Sequence, residues 1–403
     1  MGARRWAAMA KYLERMGYEV TVIAGDWPAR PHSNGVIWTR DLARHPGLRK
    51  LLRRPPFPGI DYAQPPVLRK RSLLQRVLVP DVSIAAWMPV ALLAARRILA
   101  GGRTDCVITT SPPASAHLVG LALGRHRPAW VADFRDAWTH QPSHPPFETV
   151  AQRALDGWLE SHVVRRGDRI VAATAPIAED QMSRFGVDAR HVSNGWDPER
   201  LVVVEPGDTR KSGPVMFVHT GRLSGSDGRD PRPLLDGICS MFARRPELRN
   251  RVRIVLAGAL WAHEEDLIRR SGLADLIEAP GHLPPAAALA LQRQADALVL
   301  LGSADMSAAT GKLYEYLGAD RPILALAGDN AAARIVRETR TGLVVPPNDR
   351  PAIVNALVAV AERRLPYEPR RDLVEEYIYP LPAIRLAAVI DEAIALRSRR
   401  TCT

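Results

Sequence analysis

The chain of 403 residues contains little cysteine and no long apolar run. Its three cysteines, Cys106, Cys239 and Cys402, lie far apart without paired spacing, which argues against a disulfide framework and against a zinc site. The longest apolar candidate, residues 82–95, is broken by a Trp-Met-Pro triplet and is shorter than the roughly 18 residues of a membrane-spanning helix. We therefore expect a cytoplasmic protein that does not cross a membrane.

Motifs for metals and cofactors are also scarce. No Asp-x-Asp sequence occurs in the chain, and no cofactor is expected. His140 and His144 have a spacing used by metal ligands, but Pro142 and Pro145 exclude a helical pair. The sequence therefore predicts no metal site.

Positive charge is concentrated in one segment. Residues 40–76 contain ten Lys or Arg against Asp41 and Asp61, a net charge of +8 out of +12 for the whole chain. Apolar side chains interleave with these basic residues, as in interfacial segments on anionic lipid. We predict contact of residues 40–76 with an anionic membrane surface, with a nucleic-acid surface and a solvated basic loop as alternatives. No recognition helix, RNA-binding motif or aromatic stacking motif is present, so no nucleic-acid partner is expected.

Strand-like and helix-like segments alternate along the first half of the chain. Strands are predicted at residues 19–24, 35–38, 105–109, 129–133 and 168–173. Such alternation is typical of an α/β fold with a doubly wound parallel sheet, whose ligands gather beyond the carboxyl ends of the strands. The length suits two such domains of roughly 200 residues each. Asn-Gly and Asp-Pro pairs within residues 193–198 predict a turn that closes the first domain.

Residues 297–326 carry the most informative pattern. The apolar runs 297–301 and 323–326 predict two strands that are buried on both faces. Leu313 and Leu317 recur between them at helical spacing. The stretch therefore predicts a strand, a helix and a second strand.

Polar residues at the start of this helix indicate a phosphate site. Thr310 and Gly311 lie where the helix begins, and its N-terminus offers free backbone N–H groups and a positive dipole end. Lys312 adds a full positive charge, and Glu315 lies one turn further, where its carboxylate can accept hydrogen bonds from a ribose. A structural turn with a solvated lysine is the alternative interpretation.

This block resembles the donor-binding signature of GT-B glycosyltransferases of the family-four type. The resemblance implies two Rossmann-like domains facing a cleft, and a helix glutamate, here Glu315, that holds the ribose of a nucleotide sugar. The usual motif has a second glutamate eight residues earlier, where this chain has Ser307. The resemblance also implies an acceptor-binding domain at residues 1–198, a donor-binding domain at 199–378, and a helix at 379–403 that crosses back to the first domain.

Further segments resemble the same family in the expected order. Gly221 and Arg222 end an apolar strand, and in the family this arginine reaches the leaving diphosphate. His282 lies in a segment that resembles the loop where backbone groups contact the nucleobase. The chain opens on a helix without a preceding strand, so we expect the first strand of the N-terminal domain to be missing, with Gly2 as the remnant of a glycine-rich loop.

Glycosyl transfer needs a group that accepts the proton of the acceptor hydroxyl and electrostatic support for the departing diphosphate. Asp133 and Asp136 follow a buried strand, and either is a candidate for the base. Arg135, between them, is a candidate for binding an anionic part of the substrate or for shaping the loop. His117, on the first turn of the helix predicted at residues 115–124, is a further candidate for a neutral base.

The sequence thus predicts a metal-independent glycosyltransferase that moves a sugar from a nucleoside diphosphate sugar, most often a uridine one in this family, to a hydroxyl acceptor. Together with the basic segment, this suggests a lipid-linked intermediate of a cell-surface polysaccharide and a peripheral position at the inner face of the membrane. A soluble acceptor is the alternative. An epimerase of nucleotide sugars and a non-catalytic scaffold, both of GT-B architecture, are the other functions considered.

Overall fold

The computed structural model describes residues 2–25, 35–42, 76–140, 147–200, 213–225 and 228–401. Two compact units share these residues. The first unit comprises the described residues up to Ser193 together with those from Pro382 onward, and the second comprises Asn194–Leu381. The domain boundaries at 198 and 378 stay predictions.

The first unit contains two parallel sheets. One sheet pairs β1 with β2, and the other has the strand order β3-β4-β5-β6. The strands are β1 (Val22–Gly25), β2 (Val36–Thr39), β3 (Cys106–Ser111), β4 (Ala129–Phe134), β5 (Arg169–Ala172) and β6 (Ala189–His191). Every residue of β4 is buried, which explains why its residues other than Asp133 are all apolar instead of alternating with polar ones.

One helix precedes β1, and from β2 to β6 helices alternate with the strands. These helices are α1 (Gly2–Arg15), α2 (Ser83–Ala86), α3 (Met88–Leu99), α4 (Ser115–Ala122), α5 (Val150–Arg166) and α6 (Ala175–Phe185). The largest side chains of this core, Trp130 and Phe134, are fully buried beside Ile170 and Ile177. Thr149 begins α5 with a capping box, since its side chain accepts from the amide of Gln152, whose side chain in turn accepts from the amide of Thr149.

The second unit is built on a six-stranded parallel sheet with the order β12-β11-β10-β7-β8-β9. Its strands are β7 (Val215–Thr220), β8 (Val252–Ala257), β9 (Ile277–Glu278), β10 (Ala297–Leu301), β11 (Ile323–Leu326) and β12 (Gly342–Val345). Val215 and Phe217 enter one apolar cluster while Met216 and Val218 enter another, because successive side chains of a strand point to opposite faces. The sheet is therefore covered on both faces.

The helices of the second unit pack on the two faces of this sheet. They are α7 (Arg232–Arg244), α8 (Ala262–Arg270), α9 (Pro285–Gln294), α10 (Gly311–Ala319), α11 (Ala331–Thr339), α12 (Arg350–Ala361) and α13 (Arg371–Glu375). With parallel sheets in both units, the predicted α/β class is confirmed.

The chain enters the second unit through Trp196. Its backbone N–H donates to the carbonyl of Tyr377 at 3.0 Å, and its carbonyl accepts from the N–H of Tyr379 at 3.1 Å. A Cβ added to Gly318 would lie 2.5 Å from the indole ring, so the ring rests directly on the backbone of α10. This contact fixes the far end of the helix whose first turn carries Lys312.

The last helix, α14 (Leu381–Thr401), packs in the first unit. Arg169 donates to Glu392 at 2.9 Å, and Tyr18 donates to Asp391 at 2.9 Å. Among the described residues, none of the helices combines the length and the apolar character needed to span a membrane.

Candidate active site

The first turn of α10 lies just past β10, at the carboxyl edge of the second sheet. Its N-cap residue, Thr310, has extended backbone angles and makes no side-chain capping bond. The buried Oγ1 of Thr310 has no hydrogen-bond partner among the described residues. No acidic side chain occupies the first turn of the helix. This helix terminus has the positive dipole end and the orphan amides that suit an anion.

Lys312, the second residue of α10, reaches back to the end of β7. Its Nζ donates to the carbonyl oxygen of Arg222 at 2.9 Å and lies 3.2 Å from Nε2 of His219. Burial, and then the charge of Lys312, lower the pKa of His219 to about 3. The ammonium group is thus held between a carbonyl and an imidazole that is neutral at ordinary pH.

Gly221 leaves room for the lysine. Its φ of +92° lies in the region that favours glycine. A Cβ added at this position would lie 2.9 Å from Nζ of Lys312 and closer still to its Cε. Gly258 is confined in turn, since a Cβ there would overlap the carbonyl of Gly221. Two glycines from neighbouring loops therefore define the path of the lysine side chain.

A buried carboxylate anchors the loop that follows β7. Glu264 on α8 is 0% exposed and accepts from the backbone N–H of Ser224 at 2.8 Å and of Trp261 at 2.7 Å. The hydroxyl of Ser224 also donates to the same carboxylate. The carbonyl of Arg222 accepts from Lys312, and two residues later in the same loop Ser224 is bound to Glu264. The carboxylate of Glu264 therefore fixes the position of this loop.

Glu315 lies one turn into α10 and is half-buried. Gln292 of α9 donates to Thr220 Oγ1 at 2.9 Å and, from the same nitrogen, to Glu315 at 3.4 Å. The hydroxyl of Tyr316 accepts from the backbone N–H of Thr220 at 3.0 Å. These bonds hold the carboxyl end of β7 against α10 and orient the carboxylate of Glu315 at the same edge as Lys312.

Ser307 lies in the loop before α10, at the position where the family motif has a glutamate. Its backbone N–H and its hydroxyl both donate to Asp305, at 2.8 and 2.7 Å. The carbonyl of Ser303 accepts from Asn330 at 2.9 Å. The serine therefore shapes the loop through Asp305.

Of the remaining predicted donor residues, Arg222 and His282 lie on exposed loops and Gly2 lies in a helix. The side chain of Arg222 is exposed after β7, and His282 is exposed in the loop between β9 and α9. The preceding Gly281 has a φ of +75°, which turns the chain at this point. Gly2 is the first residue of α1, in the first unit. The donor-binding roles of these residues stay predictions.

In the first unit, Asp133 is fully buried and its carboxylate is already engaged. Arg5 donates to one oxygen at 3.0 Å, and Trp6 and Thr110 donate to the other at 3.2 and 2.7 Å. Arg5 also donates to the carbonyls of Ser193 and Val192. Through these bonds Asp133 joins α1 to the sheet. Its role as a base stays a prediction.

Asp136 and Arg135 differ from Asp133. Asp136 is exposed in the loop after β4. Arg135 donates to the carbonyl of Ser111 at 2.7 Å and to that of Pro112 at 2.5 Å, and burial lowers its pKa. Of the two interpretations of Arg135, the contacts favour the one in which it shapes the loop between β3 and α4. Of the two carboxylates in and just after β4, Asp133 is buried and Asp136 is exposed, so a substrate can approach Asp136.

His117 on α4 is 0% exposed, and burial lowers its pKa to about 3. Its Nδ1 lies 2.9 Å from Thr109 Oγ1, and its ring stacks on Phe134 at a centroid distance of 4.3 Å. Asp81 accepts from the backbone N–H of Ser115 at 2.9 Å, so a carboxylate already occupies the start of this helix. His117 is therefore buried and neutral at ordinary pH, and its role as a base stays a prediction.

The predicted membrane segment, residues 40–76, falls mostly outside the described residues. At its end, Arg76 donates to both oxygens of Glu148 at 2.7 and 3.1 Å. Both side chains are about half exposed, so this ion pair contributes little to stability.

Three residues of the site were missed from the sequence. His219 lies inside an apolar strand, where a histidine is unusual, and this signal could have identified it. Glu264 is the third residue of its helix, the position of a capping-box glutamate. Gln292 gives no such signal, because its partner Thr220 lies 72 residues earlier in the chain and its partner Glu315 lies 23 residues later.

Both parts of the chain match known families. Residues 2–195 match the glycosyl transferase 4-like domain, and residues 218–363 match the glycosyl transferases group 1 domain. The chain belongs to the glycosyl transferases of group 1, and it is a glycosyltransferase of the GT-B fold. No curated protein matches the chain significantly in sequence.

Solved structures of low sequence identity share this fold. Sucrose-phosphate synthase from Thermosynechococcus elongatus superposes with a TM-score of 0.65 at 17% identity, over 96% of this chain and 92% of that one. The N-terminal domain of trehalose-6-phosphate phosphatase from Candida albicans gives a TM-score of 0.59 at 12% identity, over 99% and 92%. The lipopolysaccharide outer core galactosyltransferase WaaB gives 0.53 at 15% identity, over 75% and 80%. The prediction of a GT-B fold is confirmed.

Proposed function

We propose that the protein transfers a sugar from a nucleoside diphosphate sugar, with uridine as the base, to a hydroxyl acceptor. The observation that carries this proposal is the ammonium group of Lys312, which is fixed 2.9 Å from the carbonyl of Arg222 beside the uncapped first turn of α10. A fixed cation next to a helix N-terminus is suited to the charge that develops on a departing diphosphate.

The other proposed contacts with the donor are made by residues at the same carboxyl edge of the second sheet. Glu315, one turn along α10, is proposed to accept hydrogen bonds from the ribose hydroxyls. Arg222 and the loop at His282 are proposed to contact the diphosphate and the base. Because the chain has no Asp-x-Asp motif, we assign stabilisation of the leaving group to Lys312, Arg222 and the helix terminus, without a metal ion.

On the acceptor side, Asp136 is proposed as the group that receives the proton of the acceptor hydroxyl. It is exposed at the carboxyl end of β4, whereas Asp133 is buried under Arg5 and Trp6. Substitution of Asp136 by alanine is therefore expected to lower the rate of transfer by roughly a hundredfold while donor binding is retained.

A membrane-presented acceptor is favoured by the surface of α5. Three apolar side chains of this helix, Val150, Leu155 and Trp158, are 72%, 46% and 53% exposed. The two acidic residues of the same helix, Asp156 and Glu160, are buried, so its exposed charges are cationic. An apolar stripe with a tryptophan among basic residues suits an interface with anionic lipid. We propose a lipid-linked acceptor, as in the assembly of a cell-surface polysaccharide, and a peripheral position at the inner face of the membrane.

The experiment that tests the function is product analysis with the purified chain. A panel of nucleoside diphosphate sugars is incubated with and without hydroxyl acceptors, including lipid-linked sugars, and the sugar products are separated. Sugar on an acceptor, with release of the nucleoside diphosphate, is the expected result. Release of an isomerised free sugar without any acceptor would instead identify an epimerase, and an unchanged donor would identify a scaffold.

The membrane proposal is tested by sedimentation with vesicles of phosphatidylcholine alone or with one third phosphatidylglycerol. Trp158→Ser is expected to reduce binding to the anionic vesicles. Ile384→Ser removes an apolar side chain of similar exposure, 45%, from α14 and is the control. Equal loss in both variants, or none in either, contradicts a role for the α5 surface.

A further inference from the structure

We propose that His219 is a positioning residue, which holds the ammonium group of Lys312 toward the donor diphosphate through a neutral acceptor that adds no negative charge beside it. The proposal rests on the proposed donor site and gives it a further residue. His219 belongs to β7 and is 1% exposed. It acts through Lys312 and does not itself touch the substrate.

The contacts of the imidazole define which nitrogen carries the proton. Nδ1 lies 2.9 Å from the carbonyl of Val299, and Nε2 lies 3.1 Å from the carbonyl of Arg222. If Nε2 carried the proton of a neutral ring, the lone pair of Nδ1 would face the carbonyl oxygen of Val299. With the proton on Nδ1, that nitrogen donates to Val299 and Nε2 accepts from Lys312 at 3.2 Å. In this tautomer Nε2 and the carbonyl of Arg222 are both acceptors, and the ammonium group of Lys312 donates to both of them. The other neutral tautomer would leave Nδ1 facing the carbonyl of Val299 and Nε2–H facing the ammonium group, so the contacts favour the proton on Nδ1.

A neutral acceptor differs from a carboxylate in its effect on the site. An aspartate at this position would also accept from Lys312, but its negative charge would cancel the positive charge offered to a diphosphate. The imidazole and the carbonyl of Arg222 together direct the ammonium while its net charge stays +1. His219 thus orients the lysine, and the positive charge of the lysine attracts the diphosphate.

The surroundings keep this pair in one geometry. The bond from Nδ1 to Val299 ties the ring to the neighbouring strand β10. Gly221 confines the lysine on the other side, where a Cβ would lie 2.9 Å from Nζ. Because the ring cannot swing away without breaking the bond to β10, it provides a fixed support for a long and flexible side chain.

The test compares UDP with uridine, since Lys312 is expected to contact only the phosphates. Binding of each to the full chain is measured by isothermal titration calorimetry for the wild type and for His219→Phe. We expect His219→Phe to weaken UDP binding roughly tenfold relative to uridine binding, as loss of one hydrogen bond to a charged group does. Binding of uridine shows that the variant is folded.

A double-mutant cycle separates positioning from general damage to the fold. In a Lys312→Ala background, His219→Phe is expected to change the UDP-to-uridine preference less than twofold. An equal effect of His219→Phe with and without Lys312 overturns the proposal. If Lys312→Ala itself leaves the preference for UDP unchanged, the proposed donor site fails, and this outcome is distinct from failure of the role of His219.

Two conservative variants and one control sharpen the result. His219→Asn retains a donor for Val299 near Nδ1, whereas His219→Gln retains an acceptor for Lys312 near Nε2. We expect His219→Gln to restore part of the preference for UDP and His219→Asn to restore none. His117→Phe removes another buried imidazole, in the first unit, and is expected to leave the preference unchanged. Equal behaviour of the asparagine and glutamine variants contradicts the proposal.

Discussion

Replacement of Asp133 by alanine tests the structural role that its contacts indicate. Asp133 and Arg5 are 0% and 3% exposed, and their side chains form an ion pair at 3.0 Å. The variant removes the carboxylate of Asp133 from the buried guanidinium of Arg5 and leaves the carbonyls of Ser193 and Val192 beside it. Trp6 and Thr110 also lose the acceptor for their N–H and O–H groups.

The expected cost follows from this loss. Removal of one partner of a buried ion pair destabilises proteins by about 3 to 5 kcal/mol, since the other charge stays buried without its counterion. For a unit of roughly 200 residues, each kcal/mol lowers the unfolding temperature by about 2 to 4 °C. We therefore expect the transition of the first unit to fall by roughly 6 to 20 °C.

The assay is differential scanning calorimetry of the full chain, with transfer activity measured in parallel at low temperature. Asp136→Ala is the matched control, because it removes a carboxylate three residues further along the chain, at an exposed position. It is expected to change the unfolding free energy by less than about 0.5 kcal/mol and to lower the rate of transfer.

The reasoning is refuted if Asp133→Ala unfolds at the temperature of the wild type. It is also refuted if the variant is as stable as the wild type but inactive, since Asp133 would then act in the reaction. The double variant with Arg5→Met adds a further check. A coupling energy of less than about 0.5 kcal/mol between the two positions would show that the ion pair is not the source of the effect.

Three further predictions concern the packing around the donor site and the buried histidines. Gly221→Ala should weaken UDP binding at least tenfold in calorimetric titrations, because a Cβ meets Lys312 and the φ of +92° is unfavourable for alanine; unchanged affinity contradicts this. Glu264→Ala should lower the free energy of unfolding by roughly 2 to 5 kcal/mol in urea titrations, since two backbone N–H groups lose their acceptor; a change below about 1 kcal/mol contradicts the buried role. The folded-state pKa values of His117 and His219, both about 3, lie below their unfolded value of 6.5, so their contribution to stability is complete above pH 6.5 and is lost as the pH falls toward 3. Between pH 7 and 4.5 each should cost roughly 3 kcal/mol of stability, and His117→Phe should flatten the measured pH dependence.

Local patterns were sufficient for much of the fold. The apolar runs at 297–301 and 323–326 became β10 and β11 with the predicted bounds, because strands that are buried on both faces are apolar at every position. The start of α5 (Val150–Arg166) is likewise fixed locally, by the capping box at Thr149. Such features depend on residues within a few positions of one another.

Contacts between residues that are distant in sequence could not be predicted from local patterns. Asp133 looked like a catalytic carboxylate at a strand end, but its partner Arg5 lies 128 residues away in sequence. The bond between Lys312 and His219 spans 93 residues, so neither local pattern revealed the other. The position of Lys312 at a sheet edge could be predicted from its charge and from the strand before it. Its contact with the neutral imidazole of His219 could not, because that contact depends on which strands are neighbours in the sheet.

The most direct test of the account is the binding of UDP and uridine to Lys312→Ala and Glu315→Ala, measured by titration calorimetry. The account predicts that Glu315→Ala weakens both ligands to a similar extent, because the ribose is common to them. It predicts that Lys312→Ala weakens UDP by roughly a hundredfold and leaves uridine unchanged. Binding of UDP that neither variant changes, or its absence in the folded wild type, would contradict a donor site at the first turn of α10.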